Sequence, residues 1–138
     1  EKYRGRISGP LLDRIDIHIE VPSVRVRDLT AAPPAEGSAA VRERVVAARE
    51  IQSRRFVGTP TRVNGRMSLR QIHAACMLDA AGQALIEKAI GRLGLSARAY
   101  ARILKVARTI ADLEGAPRVE IRHLAEAIGY RSLDRRKA

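Results

Sequence analysis

Between Ile15 and Val21 apolar and polar positions alternate: Ile15, Ile17, Ile19 and Val21 share one side, and Asp16, His18 and Glu20 the other. A period of two is that of a β-strand, so 15–21 is predicted as a strand. From Ser38 the period becomes helical. Val41, Val45, Ala48 and Ile51 fall on one stripe, Ser38 is placed to cap it, and Glu50 precedes Arg54 by four residues, which predicts a helix over 38–54. A short helix follows over 68–76. Another, over 79–92, is striped by Leu78, Leu85, Ile86, Ala89 and Leu93 and ended by Gly94, which suits a left-handed terminus. Ser96 caps the strongest pattern, 96–113, whose predicted buried stripe is Tyr100, Ile103, Leu104, Ala107, Ile110 and Ala111. Gly115 and Pro117 stop it. A last helix over 121–130 presents Leu124, Ala127 and Ile128, and the basic tail beyond it is expected to fray.

The clearest boundary is the Pro-rich stretch Thr30–Ser38. It separates residues 1–35, with a net charge of +1, from 36–75 and 76–138, each at +5. With one Phe, three Tyr and no Trp, the core must be built from Ala, Leu, Ile and Val, and 138 residues suffice for one modest core. Arginine outnumbers lysine 22 to 4, and the total of +11 suggests phosphate-bearing partners such as nucleotide or nucleic acid. A high-GC genome would bias composition the same way. A single cysteine, Cys76, rules out an internal disulfide and fits a cytoplasmic setting. No apolar run is long enough to span a membrane. The start at Glu1, inside a continuing pattern, predicts a piece of a longer protein.

Two arginines carry candidate chemistry. Arg14 stands between Asp13 and Asp16 where a Leu-Leu run meets the predicted strand. A rigid, permanently charged guanidinium at such a place can stabilise charge on a phosphoryl group, although spacing alone favours a local ion pair. Arg98 falls in the first turn of the helix capped by Ser96, where the dipole disfavours a cation and an anion would relieve the conflict. Arg102 and Lys105 continue that face and read as solvated. The 54–66 loop is rich in arginine, but with Phe56 as its one aromatic it lacks a stacking platform; electrostatic contact with DNA phosphates is the role left to it. His73 and Cys76 are too few for a four-ligand zinc site, and no metal site is predicted. Asp16 and Glu20 read as a solvent-facing strand edge rather than an acid–base pair. No Gly-x-x-x-x-Gly-Lys-Ser/Thr loop occurs, nor an apolar strand ending in paired acids, so the chain by itself lacks the groups that cradle ATP phosphates and hold magnesium.

The run Ser8-Gly-Pro-Leu-Leu-Asp-Arg-Ile-Asp-Ile-His-Ile-Glu-Val21 closely resembles the end of the nucleotide-binding core of AAA+ ATPases of the magnesium chelatase and MCM groups. Together with Tyr3-Arg-Gly-Arg-Ile-Ser-Gly-Pro, Gly94-Leu-Ser-Ala-Arg-Ala-Tyr100, Arg102-Ile-Leu-Lys-Val-Ala-Arg-Thr-Ile-Ala-Asp-Leu113 and His123-Leu-Ala-Glu-Ala-Ile-Gly-Tyr130, it resembles the C-terminal part of ComM/YifB magnesium-chelatase-like ATPases over nearly the whole chain. The resemblance implies a mainly α fold: a helical AAA+ lid bundle over 38–138, a linker over 23–37, and a short β-strand remnant of the AAA+ core within 1–22. It implies that Arg14 is an arginine finger acting in trans on a neighbour's ATP and that Arg98 is the sensor-2 arginine contacting ATP phosphate. It further implies a cytoplasmic homo-hexamer whose full-length form uses ATP and magnesium, with no cofactor expected on this chain alone. Its partners would be neighbouring AAA+ subunits and DNA, with no membrane, and its activity that of a DNA branch-migration helicase in natural transformation. The alternatives are the motor subunit of a metal chelatase and a stand-alone basic helical module that binds nucleic acid.

Overall fold

A computed structural model describes residue 11 and residues 14–23 and 35–131. Gly9 and Pro10, Asp13, most of the Pro-rich linker and the basic tail lie outside these. Five α-helices follow one another: α1 (Ser38–Arg55), α2 (Leu69–Ala75), α3 (Ala80–Leu93), α4 (Ala97–Leu113) and α5 (Ile121–Gly129), with a 3-10 turn at Asn64–Arg66. Among the described residues α4 is the hub; α1, α2, α5 and the 3-10 turn all pack on it, and α3 is held through α5.

Local chemistry sets most of the ends. Ser68 opens α2 with a capping box: its hydroxyl accepts from the Gln71 amide at 3.3 Å, and the Gln71 side chain accepts from the Ser68 amide at 2.9 Å. The Asp79 carboxylate caps α3 through the Gly82 amide at 2.7 Å, and Ser96 caps α4 through the Ala99 amide at 3.2 Å. Gly94 ends α3 at φ 61°, the left-handed conformation that a side chain disfavours. Gly82 serves a different need, because a Cβ there would stand 3.1 Å from Leu124 Cδ1 where α3 crosses α5.

The core is aliphatic. Ile72, Ile86, Ile103, Leu104 and Leu124 are all at most 2% exposed, joined by Phe56 from the end of α1. Each such side chain contributes on the order of 1.5–3 kcal/mol of burial. On α4 the predicted stripe packs inward, with Tyr100 at its margin.

Three expectations are corrected. Ser38 is the first residue of α1 rather than its cap; Gly37 takes the cap position and no side chain caps the helix. The stripe of α1 is buried only at Ala48 and Gln52, while Val41 and Val45 are 40% and 44% exposed, because burial of this helix begins at Ala48. Finally, 15–21 forms no strand, and none occurs among the described residues. A strand needs a ladder, and this backbone is instead tied to the end of the bundle: the His18 amide donates to Tyr130 O at 2.8 Å, and the Arg131 guanidinium donates to Ile15 O. The burial pattern is also inverted, with His18 buried and Ile17 and Ile19 exposed.

Candidate functional site

Arg14 lies on the surface in a turn closed by its amide on Leu11 O at 3.0 Å. The local ion pair that spacing favours does not form with Asp16, which pairs with Arg102 instead; Asp13 lies outside the described residues. Arg98 is exposed as the second residue of α4, just after the Ser96 cap. The first amides of a helix have no intrahelical partner, so this end combines a partial positive charge with a full one. Among the described residues no carboxylate pairs with Arg98.

Arg102, one turn further along α4, is not simply solvated. Its guanidinium binds Asp16, two residues past Arg14, so the segment bearing Arg14 is fastened to the helix bearing Arg98. Lys105 is likewise engaged, donating to Gly65 O at 3.0 Å.

The largest polar feature was invisible to pattern reading. Asp112, fully buried on α4, receives Arg55 of α1 at 2.7 and 2.5 Å, Asn64 Nδ2 of the 3-10 turn at 2.7 Å, and Arg108 Nε at 3.1 Å. Arg108 spends its other nitrogens on Pro117 O and Ala116 O, at 3.2 and 2.6 Å. Asn64 is held further by the Gln52 side chain, which accepts from its amide at 3.2 Å. Burial alone would raise the Asp112 pKa, but hydrogen bonds from Arg55 and Asn64 and the charge of Arg108 outweigh it and hold the carboxyl below the usual aspartate range. One signal for this cluster lay in the sequence: Arg108 and Asp112 sit four apart, with Arg108 four residues after Leu104, inside the apolar stripe.

At the start of α5, His123 is fully buried and accepts the Glu120 amide on Nδ1 at 2.9 Å. Its Nε2 therefore carries the hydrogen and donates to Glu114 at 3.0 Å. That bond, helped by Arg122, holds the Glu114 carboxyl below its ordinary value. Cys76 is buried against Leu104 O at 3.6 Å, and burial pushes its thiol up to about 11 against the opposing pull of Arg108 and Arg55. His73 is exposed, and the described residues contain no group of three or more His, Cys, Asp or Glu that could hold a metal ion. No described helix is long and apolar enough to cross a membrane.

Residues 35–131 match the family described as magnesium chelatase, subunit ChlI C-terminal, and residues 1–29 match magnesium chelatase, subunit ChlI. The chain is 45% identical over 135 residues to the competence protein ComM of Haemophilus influenzae, covering 97% of the chain and 26% of that protein. The YifB proteins of Salmonella typhimurium and Escherichia coli are 43% and 40% identical over the same shares. The chain thus spans about a quarter of the length of the curated relatives it matches. On the extent of these matches and its helical bundle, the chain belongs to the magnesium chelatase ChlI family, as a ComM/YifB-type member carrying the family's C-terminal domain.

Proposed function

We propose that this chain is the C-terminal part of a hexameric, ATP-driven AAA+ motor that remodels DNA in the cytoplasm, as a branch-migration helicase in recombination or natural transformation. One observation carries the reading. An exposed Arg98 opens the Ser96-capped helix α4, and the Asp16–Arg102 pair fastens to that helix the segment that presents exposed Arg14. The name of the 45%-identical relative, a competence protein, supports transformation as the setting. The break between the two family matches, after residue 29 and before 35, falls inside the linker this reading places over 23–37, between a core remnant over 1–22 and a lid over 38–138.

The residues present suit a nucleotide's phosphates. Arg98 and the free amides at the start of α4 offer charge and donors to the phosphate of ATP bound in the same subunit. Arg14 offers a rigid guanidinium to ATP bound by a neighbour. The described residues offer no metal cluster, so the reading places the ligands of magnesium elsewhere in the full-length protein. ATP supplies the phosphoryl group whose transfer drives the motor.

A second reading, the motor subunit of a metal chelatase, is favoured by the names of both matched families and keeps the same residue roles. A stand-alone nucleic-acid module rests on the net charge of +11 alone. The test is Arg14→Ala in the full-length protein. Turnover should fall toward the limit set by losing an arginine finger, about 10³–10⁵-fold, with ATP binding retained. Mixed rings should recover activity, because a wild-type neighbour can serve a mutant's ATP. Unchanged turnover in the pure mutant would leave Arg14 a surface residue; no ATP turnover in the wild-type full-length protein would favour the module, and DNA-independent turnover that responds to a chelatase partner would favour the second reading.

A further inference from the structure

From Ile51 to Leu78 the chain contains five arginines and no aspartate or glutamate. The fold neutralises one of the five. Arg55 is consumed by Asp112, a carboxylate already shared with Arg108. Arg62, Arg66 and Arg70 remain exposed, and among the described residues none has an ion-pair partner. Of the other basic residues, Arg44 pairs with Glu36, Arg102 with Asp16, and Arg122 with Glu114 and Glu120, whereas exposed Arg42, Arg49, Arg98 and Arg118 also have no ion-pair partner among the described residues, and lie outside this run.

These cations belong to one built platform. The Thr61 hydroxyl donates to the Gln71 side chain at 3.1 Å, and this bond is flanked in sequence by Arg62 on one side and Arg70 on the other. Arg66 ends the 3-10 turn whose first residue, Asn64, is locked into the buried network. Lys105 reaches this turn from α4 by its bond to Gly65 O, which brings a fourth positive charge beside Arg66. Nothing crowds Gly65, where an added Cβ would meet no atom within 4 Å, so a ligand's backbone can approach closely.

We propose that Arg62, Arg66, Arg70 and Lys105 form a docking surface for the phosphate backbone of nucleic acid, made of residues other than Arg14 and Arg98. Guanidinium groups pair with phosphate oxygens in a fork geometry, and a surface held by buried hydrogen bonds keeps a fixed spacing that suits a regular polyanion. An anionic membrane fits less well. Interfacial binding needs a helix with an apolar face turned outward, whereas α2 has seven residues, turns Ile72 into the core and exposes a single large apolar side chain, Leu69. With no aromatic platform among these groups, binding is electrostatic, sequence-tolerant and independent of ATP. It goes beyond the motor reading and does not depend on it.

The test measures binding of the 138-residue chain to a fluorescent duplex across salt concentration. Four phosphate contacts give a slope of log K against log salt of about −3.6, a loss of about 10²-fold between 50 and 200 mM. The variant Arg62→Gln/Arg66→Gln/Arg70→Gln should keep its circular dichroism and melt, weaken binding at 50 mM salt, and flatten the slope by about 2.7. A charge-matched control, Arg42→Gln/Arg49→Gln/Arg118→Gln, should retain the wild-type slope. Equal losses in both variants would show net charge rather than a site. No binding at 50 mM salt, or binding to phosphatidylserine vesicles but not to duplex, would overturn the proposal. ATP turnover is not read, so either result leaves the roles of Arg14 and Arg98 to their own test.

Discussion

Removing the Asp112 carboxylate should cost more stability than any other single change to a polar group of the bundle. In Asp112→Ala, Arg108, with a side chain 2% exposed, loses its one charged partner among the described residues and cannot turn to water. Arg55, at 20% exposure, can recover part of its hydration, and Asn64 loses one acceptor but keeps other contacts. Breaking a buried pair from one side costs about 3–5 kcal/mol. The partial relief at Arg55 places this variant near the lower bound, about 3 kcal/mol. For a domain of this size each kcal/mol lowers Tm by roughly 4–8 °C, so a fall above about 12 °C is expected. Asp112→Asn keeps the shape and one carbonyl acceptor but not the charge, and should lose about half as much. Urea unfolding followed by circular dichroism at pH 7 measures both. The same carboxyl contributes to the acid limb. Its folded pKa lies below its unfolded value, so its contribution is complete above about pH 5 and fades as the pH falls through about 4 and below. Asp112→Ala should therefore show a flatter stability profile below about pH 4 than wild type. A loss under about 1 kcal/mol with an unchanged acid limb would refute the network as a stabilising element.

Two further outcomes follow from local geometry. Gly94→Ala forces a side chain into φ 61° with no steric neighbour within 4 Å, so the backbone alone is strained, at about 1–2 kcal/mol; thermal melts should show it, and Gly94→Asn should lose less. Cys76, buried and with its thiol raised to about 11, should resist iodoacetamide at pH 8 until the chain unfolds, so mass-spectrometric labelling in rising urea should track the circular dichroism transition. Labelling of the native chain at the rate of a free thiol would contradict that burial.

Helix positions were legible because capping and turn residues coincide with changes of period. Ser68, Ser96 and Gly94 stand where α2, α4 and α3 begin or end, and the stripe from Ile103 to Ala111 is buried. The stripe on α1 was misread for a tertiary reason: periodicity shows which side is apolar, not how far the neighbour extends, and Val41 and Val45 lie before the packed half. Alternation over 15–21 likewise signals a strand only where a ladder exists, and these residues find Tyr130 and Arg131 instead. The Asp112 cluster escaped because two of its partners, Arg55 and Asn64, come from 57 and 48 residues away, beyond any local window, and Arg108 alone lies within one. Of the candidate site, the exposure of Arg98 was legible from its position in the first turn of a helix, whereas Arg14, expected at the start of a strand, lies in a turn. The engagement of Arg102 and Lys105 was not legible, since both depend on chain segments brought in by the fold.

The central claim is that Arg98 at the start of α4 faces a nucleotide and does not hold the bundle together. Arg98→Ala separates the two roles. In this chain the substitution should leave unfolding free energy within about 0.5 kcal/mol, since Arg98 is exposed and outside the buried stripe. In the full-length protein it should reduce ATP turnover by about 10²-fold, the scale of losing one preorganised charge-stabilising donor. An Arg98→Ala protein that turns over ATP at the wild-type rate, with the chain equally stable, would contradict the account.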